Sequence, residues 1–232
     1  MFRFKQFAIR QENAAMKVGT DGALLGAWCD VSKANNILDI GTGTALIAMM
    51  VAQRNSTAAI TTIEIDEKAL IDANFNVENC PWANRIKIIE SSLQKYNPTL
   101  KFDSIISNPP FFENSLKSNS HQKVKARHAD SMHYSDILAF ASKHLSSNGI
   151  VHLILPTENA EKCIEIAIES GYYLKRICKV QPVPYKNAHR YAFELTKAPT
   201  KTINESLTIE TGKRHDYSQQ YIELTKAFYT IM

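Results

Sequence analysis

Only four cysteines occur in 232 residues, Cys29, Cys80, Cys163 and Cys178, and no two are close enough to form a C-x-x-C pair. That spacing excludes a disulfide or zinc framework and reads as free, buried thiols of a reduced compartment. No apolar run approaches the ~20 residues of a membrane span. The opening MFRFKQFAIRQEN is charged and interrupted, so no signal peptide is expected and the cytoplasm is the expected location. Internal repeats, low-complexity linkers, a Ser-His-Asp arrangement and metal-ligand spacings are all missing. The seven histidines, His144 and His152 among them, read as ordinary helix or strand residues. Charge is nearly balanced: 27 basic against 23 acidic residues leave +4. Such a balance fits a nucleic-acid partner only if the basic residues cluster.

What is present is the composition of a globular chain, 44% hydrophobic and 22% charged, enough to bury a core. Strand-like runs alternate with helical patterns. NILDI (36–40) precedes a helical stretch over 44–55, and AAITTIEI (58–65) precedes another over 66–80. RIKIIES (85–91), FDSIIS (102–107) and GIVHLILP (149–156) are rich in isoleucine and valine, as strands covered on both faces should be. A helix is expected from Tyr134 to Leu145, stopped by Ser146-Ser147-Asn148-Gly149, and another over 157–170, ended by Gly171. YYLKRICKVQPVP and RYAFEL read as two later strands forming a hairpin. The alternation predicts an α/β fold: a mostly parallel central sheet, helices on both faces, all in one domain over 1–232.

Three stretches carry chemistry. LDIGTGTA (38–45) sets Asp39 at a strand end and Gly41 and Gly43 in the turn into a helix. Glycines there let a ligand approach the backbone, and the helix start offers unpaired N–H groups. Position 46 is leucine, so the third glycine of the dinucleotide fingerprint is missing. A glycine turn alone is shared by many α/β folds. The next strand ends in Glu64, at the spacing of a carboxylate that accepts hydrogen bonds from a ribose, while Asp66 reads as a helix N-cap. Together these imply a cofactor containing adenosine. IISNPPFF (105–112) ends a further strand at the same sheet edge. Its prolines stiffen the loop and push Asn108 towards an extended conformation. The Asn108 amide, the Pro109 carbonyl and the Phe111 ring would suit a flat base bearing an NH₂ group.

LDIGTGTA, IEID and NPPFF in this order resemble the class I S-adenosylmethionine-dependent methyltransferases, and N-P-P-aromatic resembles the amino-methyltransferases among them. FKQF, MKVGTDGALLGAW (16–28), KARHADS and HDYSQQYIELTKAFY (215–229) are similar to the bacterial tRNA1(Val) adenine-N6 methyltransferase family over nearly the whole chain. The resemblance implies the Rossmann-like class I fold with a C-terminal antiparallel strand, S-adenosylmethionine as cofactor and tRNA as partner. It calls for no metal, no membrane and no obligate protein partner. It implies that an N-terminal extension (1–30) covers the cofactor, with Gly19, Thr20 and Asp21 closing one side. Asp39, Gly41 and Gly43 would lie along the methionine part, and Glu64 and Ile65 at the ribose. Asn108 would belong to both cofactor and substrate sites, and Asn108, Pro109, Pro110 and Phe111 to the catalytic loop. Related enzymes usually place an acidic residue at the cofactor adenine; this chain has Ser92 there.

ENSLKSNSHQKVKARHADS (113–131) lacks periodicity and reads as a long, mobile, basic loop. Beside a base-accepting site, Lys123, Lys125, Arg127 and His128 are expected to grip phosphates, with Lys117 near them. Lys175, Arg176, Lys179, Lys186 and Arg190 are expected to extend that surface. An unstacked base in an anticodon loop would suit the pocket, and the resemblance points to the adenosine 3′ of the anticodon. Alternatives are an enzyme of the same signature acting on ribosomal-RNA guanine or protein glutamine, and a non-catalytic RNA-binding module. The glycine turn at residue 41 leaves no room for the N-terminal domain of the glutamine enzymes.

Overall fold

Strands covered on both faces make the middle of the fold. The computed structural model describes residues 1–110 and 133–230. A short hairpin, β1 (Phe2–Arg3) and β2 (Ala8–Ile9), precedes α1 (Thr20–Trp28). Then follow β3 (Asn36–Ile40), α2 (Leu46–Arg54), β4 (Ala59–Glu64), α3 (Glu67–Glu78), β5 (Ile86–Glu90) and β6 (Phe102–Ser107). Beyond residue 132 come α4 (Tyr134–His144), β7 (Leu145–Pro156), α5 (Thr157–Glu169), β8 (Tyr173–Gln181) and β9 (Arg190–Thr196). The described chain closes with β10 (Ile203–Thr208) and α6 (Gln219–Thr225).

Among the described residues the large sheet has the order β10-β8-β9-β7-β6-β3-β4-β5. β7, β6, β3, β4 and β5 run parallel, β9 is antiparallel to both β7 and β8, and β10 is parallel to β8. This is the expected class I arrangement. Alternate residues of the strands feed two apolar layers. α1, α2 and the N-terminal hairpin cover Ile37, Ile60, Ile106 and Ile154. α4 and α5 cover Leu38, Ile105, Leu153 and Phe193. All four cysteines are free and buried.

Three features differ from the sequence reading. The helix ending at His144 passes into β7 without a turn. Between the pairs Phe102↔Leu145 and Ser104↔Ile150 the register shifts, so Ser146–Gly149 form an irregularity within β7 rather than a stop. Gly149 permits the close approach there: a Cβ on it would lie 2.7 Å from the Leu145 side chain and 3.0 Å from the Phe102 carbonyl oxygen. Arg176 does not face solvent as part of a basic surface. Its guanidinium stacks 3.8 Å above the Trp28 ring and donates to buried Glu194 at 2.6 Å. Glu194 also meets His152 on β7 at 3.3 Å. Burial would raise the Glu194 pKa, but His152 and Arg176 outweigh it and lower it to about 2. Lys175, near the start of β8, lies at the opposite sheet edge beside Asp103 and Asn148.

The N-terminal segment is tied into the fold twice. Phe4 stacks on Phe7 at 4.7 Å and packs on Tyr229 at 5.3 Å, and the Lys5 N–H donates to the Phe228 carbonyl at 2.7 Å. Residues 10–14 then lie against α3, where the Asp72 carboxylate is fully buried. It accepts from the Asn13 and Ala14 N–H groups (2.7 and 2.9 Å), the Asn13 amide (2.9 Å) and Arg10 Nε (2.9 Å). Asn76, one turn on, exchanges two hydrogen bonds with the Arg10 backbone. Burial would raise the Asp72 pKa, but these four donors outweigh it and hold the carboxyl well below the usual range.

Asp72→Asn would turn an amide NH₂ towards N–H donors. A loss of about 2–3 kcal/mol is expected at pH 7, read by urea unfolding. A depressed carboxyl stabilises above its unfolded pKa of about 4 and loses that contribution as pH falls, so wild type and variant should converge in acid. Equal stability at pH 7 would show that Asp72 does not hold the segment.

Candidate active site

The carboxyl ends of β3, β4, β5 and β6 meet around a cavity of about 280 Å³, near the ~300 Å³ lower bound of small-molecule pockets. Gly41, Gly43, Glu64, Ile65, Ser92 and Asn108 all line it, as does Pro110. Parallel strands deliver these residues to one edge, though they span 70 positions of sequence.

The floor is the turn from β3 into α2. Gly41, Gly43 and Ala45 are left-handed, with φ of 67°, 57° and 63°. Nothing lies within 4 Å of a Cβ built on Gly43, so the backbone there is open to a ligand. Ala45 adopts the same conformation with its methyl buried, at a cost of about 1–2 kcal/mol, a strain that sits at the start of α2. Behind the turn, Asp39 is 1% exposed and accepts from the Thr42 hydroxyl at 2.6 Å. Its other oxygen has no partner among the described residues. Burial raises its pKa to about 7, the Thr42 bond opposes this, and the Glu64 charge adds to it.

Glu64 joins two loops. Oε2 accepts from the Gly43 N–H at 2.8 Å, and Oε1 from the Ile65 and Asp66 N–H groups at 2.9 and 3.0 Å. A carboxylate offers about four acceptor positions. Three are therefore taken by the protein and one remains on Oε2, in a residue that lines the cavity. Asp66 caps α3 by accepting from the Lys68 N–H at 3.0 Å, as its position suggested. Ile65 and Met16 are half exposed and supply apolar walls. Ser92 follows β5 on the same side.

Asn108 stands at the other lip. The preceding Ser107 donates to the Ile40 carbonyl at 2.9 Å, fixing the end of β6 against β3. The Asn108 Oδ1 is buried with no hydrogen-bond partner among the described residues. Gly22 of α1 leaves room beside it; a Cβ there would be 3.8 Å from Asn108 Nδ2. Pro109 is buried and Pro110 exposed.

The other expected residues fall elsewhere. Gly19, Thr20 and Asp21 open α1 and do not line the cavity; Asp21 instead pairs with Arg190 Nε at 2.8 Å. Phe111, Lys123, Lys125, Arg127 and His128 lie outside the described residues, as does the whole 113–131 segment. Ala14, Ala15 and Met16, inside the expected 1–30 covering extension but not singled out there, also line the cavity, as does Gln94. The first three are held over the cavity by the bonds to Asp72, a contact across 58 positions that no local pattern signals. No group of three or more metal-ligating side chains occurs among the described residues.

A glycine turn, a ribose-type acid and an N-P-P loop on one edge of this sheet define a class I methyltransferase. Residues 14–169 match the model of the methyltransferase small domain. The fold is shared with a predicted O-methyltransferase from Agrobacterium tumefaciens, at a TM-score of 0.71 and 20% identity over 90% of this chain and 96% of that one. Over 232 residues the chain is 46% identical to the tRNA1(Val) (adenine(37)-N6)-methyltransferase of Trichodesmium erythraeum, covering 98% of this chain and 97% of that protein. It is 42% identical to the enzyme of that name from Parabacteroides distasonis, covering 100% and 98%. The chain belongs to the tRNA1(Val) (adenine(37)-N6)-methyltransferase family.

Two predictions arise from the carboxylates. Glu64→Gln presents an NH₂ to one of the loop N–H groups, so the ligand-free protein should lose about 1–3 kcal/mol in denaturant unfolding. An unchanged midpoint would release the two loops from Glu64. Asp39 acts in the opposite sense to Asp72. A carboxyl raised to about 7 contributes fully below about pH 4, and its contribution is lost as pH rises through about 7. Asp39→Asn should flatten that decline between pH 5 and 8, and a wild type equally stable at both would overturn it.

Proposed function

We propose that this protein transfers a methyl group from S-adenosylmethionine to the exocyclic N6 of an adenosine in tRNA, the adenosine 3′ of the anticodon in a valine tRNA. One observation carries the reading: the buried Oδ1 of Asn108 at the lip of the cavity, which has no hydrogen-bond partner among the described residues. An orphaned acceptor there is a cost unless a ligand N–H meets it, and an adenine amine brings two. The family supplies the tRNA, since its members are named for that reaction.

The cavity suits the cofactor. The Gly43 backbone is open, the free lone pair of Glu64 Oε2 can take a ribose hydroxyl, and Met16 and Ile65 can flank the purine, with the Ser92 hydroxyl at its edge. Asp39, Gly41 and the start of α1 (Gly19, Thr20, Asp21) are assigned to the methionine side. When bound, the sulfonium provides a methyl group open to in-line displacement. The protein's part is to hold the nucleophile. Asn108 Oδ1 and the Pro109 carbonyl would each accept one amine N–H, turning the nitrogen lone pair towards the methyl. The carbon–nitrogen bond would form as the carbon–sulfur bond breaks, with S-adenosylhomocysteine as the leaving group. The resulting ammonium, attached to an aromatic ring, is acidic and gives its proton to water. Orientation and matched electrostatics carry the rate. Phe111 is assigned to stacking on the base, Pro110 to stiffening the loop, and Lys123, Lys125, Arg127, His128 and Arg190 to the phosphates.

Nucleoside mass spectrometry of tRNA from cells with and without the protein tests the product directly; unchanged N6-methyladenosine would end the proposal. Asn108→Ala should lower single-turnover methylation by about 10²–10³ while cofactor affinity falls little. Full rate at saturating tRNA would remove Asn108 from the mechanism.

A further inference from the structure

The cofactor cavity takes up half of the sheet's carboxyl edge, at β3, β4, β5 and β6. Asn108 marks the boundary. A macromolecule delivering a base to Asn108 has the other half of that edge available, where β7, β8 and β10 end and β9 begins. Strand polarity brings two loops there: residues 182–189, between β8 and β9, and residues 209–218, between β10 and α6.

Both loops are internally held and present their functional groups outward. In the first, the Lys186 N–H donates to the Val183 carbonyl at 3.1 Å and Gln181 Nε2 to the Lys186 carbonyl at 3.0 Å. Pro182 and Pro184 stiffen the turn, and Tyr185 at its tip is 74% exposed, the most exposed large hydrophobic residue among those described. In the second, the Thr211 N–H donates to the Asp216 carbonyl at 2.8 Å and the Asp216 N–H to the Lys213 carbonyl at 3.1 Å. The two acids of this loop accept hydrogen bonds from within it: half-buried Glu210 from the His215 N–H at 2.9 Å, and exposed Asp216 from the Thr211 hydroxyl. Lys213 and Arg214 are exposed, and neither they nor Lys186 have an ion-pair partner among the described residues. The loops adjoin, since a Cβ on Gly212 would lie 3.6 Å from the Tyr185 ring. The Arg190–Asp21 pair stands between this patch and the start of α1 beside Asn108.

We infer that Tyr185, Lys186, Lys213 and Arg214 form an RNA-docking surface that seats the substrate beyond the methylated nucleotide: the ring stacks on an unpaired base and the three cations bind neighbouring phosphates. This inference rests on the tRNA reading above. An exposed aromatic ring gives a sequence-tolerant stacking surface, and cations beside it track the backbone. Strands lie ~4.8 Å apart, so β8 is roughly 15 Å along the edge from β6. That span places the contact within the same loop or stem as the target base.

The test uses full-length protein with unmodified valine tRNA, measuring binding across a salt series, cofactor binding and methyl transfer. Tyr185→Ala should weaken tRNA binding about tenfold without changing the salt slope, and Tyr185→Phe should retain affinity. The Lys186→Ala, Lys213→Ala, Arg214→Ala triple variant should lower the salt slope by about 2–3. Cofactor affinity should be unchanged in all. If wild type methylates the tRNA while these variants bind it with wild-type affinity and slope, the surface is refuted and the substrate reading stands. If wild type neither binds nor methylates tRNA, both fall. A loss in Tyr185→Ala shared equally by Tyr185→Phe would refute stacking.

Discussion

Parallel pairing of β7, β6, β3, β4 and β5 is the constraint on which the rest depends. Each connection between parallel neighbours must cross back over a face of the sheet, so every strand ends at the same edge. Residues from 41 to 110 therefore converge without any local signal directing them there. The strands can be this apolar because helices cover both faces, leaving polar groups to the loops. Chemistry and packing are separated along these strands: the interiors are rich in isoleucine, and the site residues sit at the strand end, as Glu64 does, or just beyond it, as Gly41, Ser92 and Asn108 do.

Three acids, Asp39 and Asp72 buried and Glu64 half-buried, then serve the site in different ways. Asp72 is saturated with donors and stays charged; it serves as an anchor. Glu64 is nearly saturated and keeps one acceptor position for a ligand. Among the described residues Asp39 has one hydrogen-bond partner and an orphaned oxygen, and burial moves it towards neutrality. The gradation follows from how many donors each carboxylate finds: Asp39 and Glu64 near the ends of β3 and β4, and Asp72 on α3 facing residues 10–14.

The β-strand runs and the helices between them were legible because their apolar periods are strong and uninterrupted. NPPFF and the glycine turn were legible because backbone restriction and backbone freedom are both written in single residue types. The irregular start of β7 was not: Ser146–Gly149 has turn composition, and only the approach to Leu145 and Phe102 shows that the glycine serves packing. Arg176 looked like surface charge because sequence cannot show that Trp28 and Glu194 enclose it. Ala14–Met16 fall within the 1–30 extension that the resemblance implied would cover the cofactor, but what holds them was not legible. It is a carboxylate on α3, and neither segment has a distinctive pattern alone. β10 and α6 carry too little apolar periodicity to announce themselves.

The contact of Phe4 and Lys5 with Phe228 and Tyr229 has a temporal consequence. A chain made from its N-terminus folds what has emerged, and the sheet from β3 onward can begin to assemble early. Residues 2–9 wait for partners made after the whole sheet. Ala14–Met16 behind them need only Asp72 on α3, and can settle as soon as that helix forms. The hairpin therefore docks late, onto a cavity lining that is already in place.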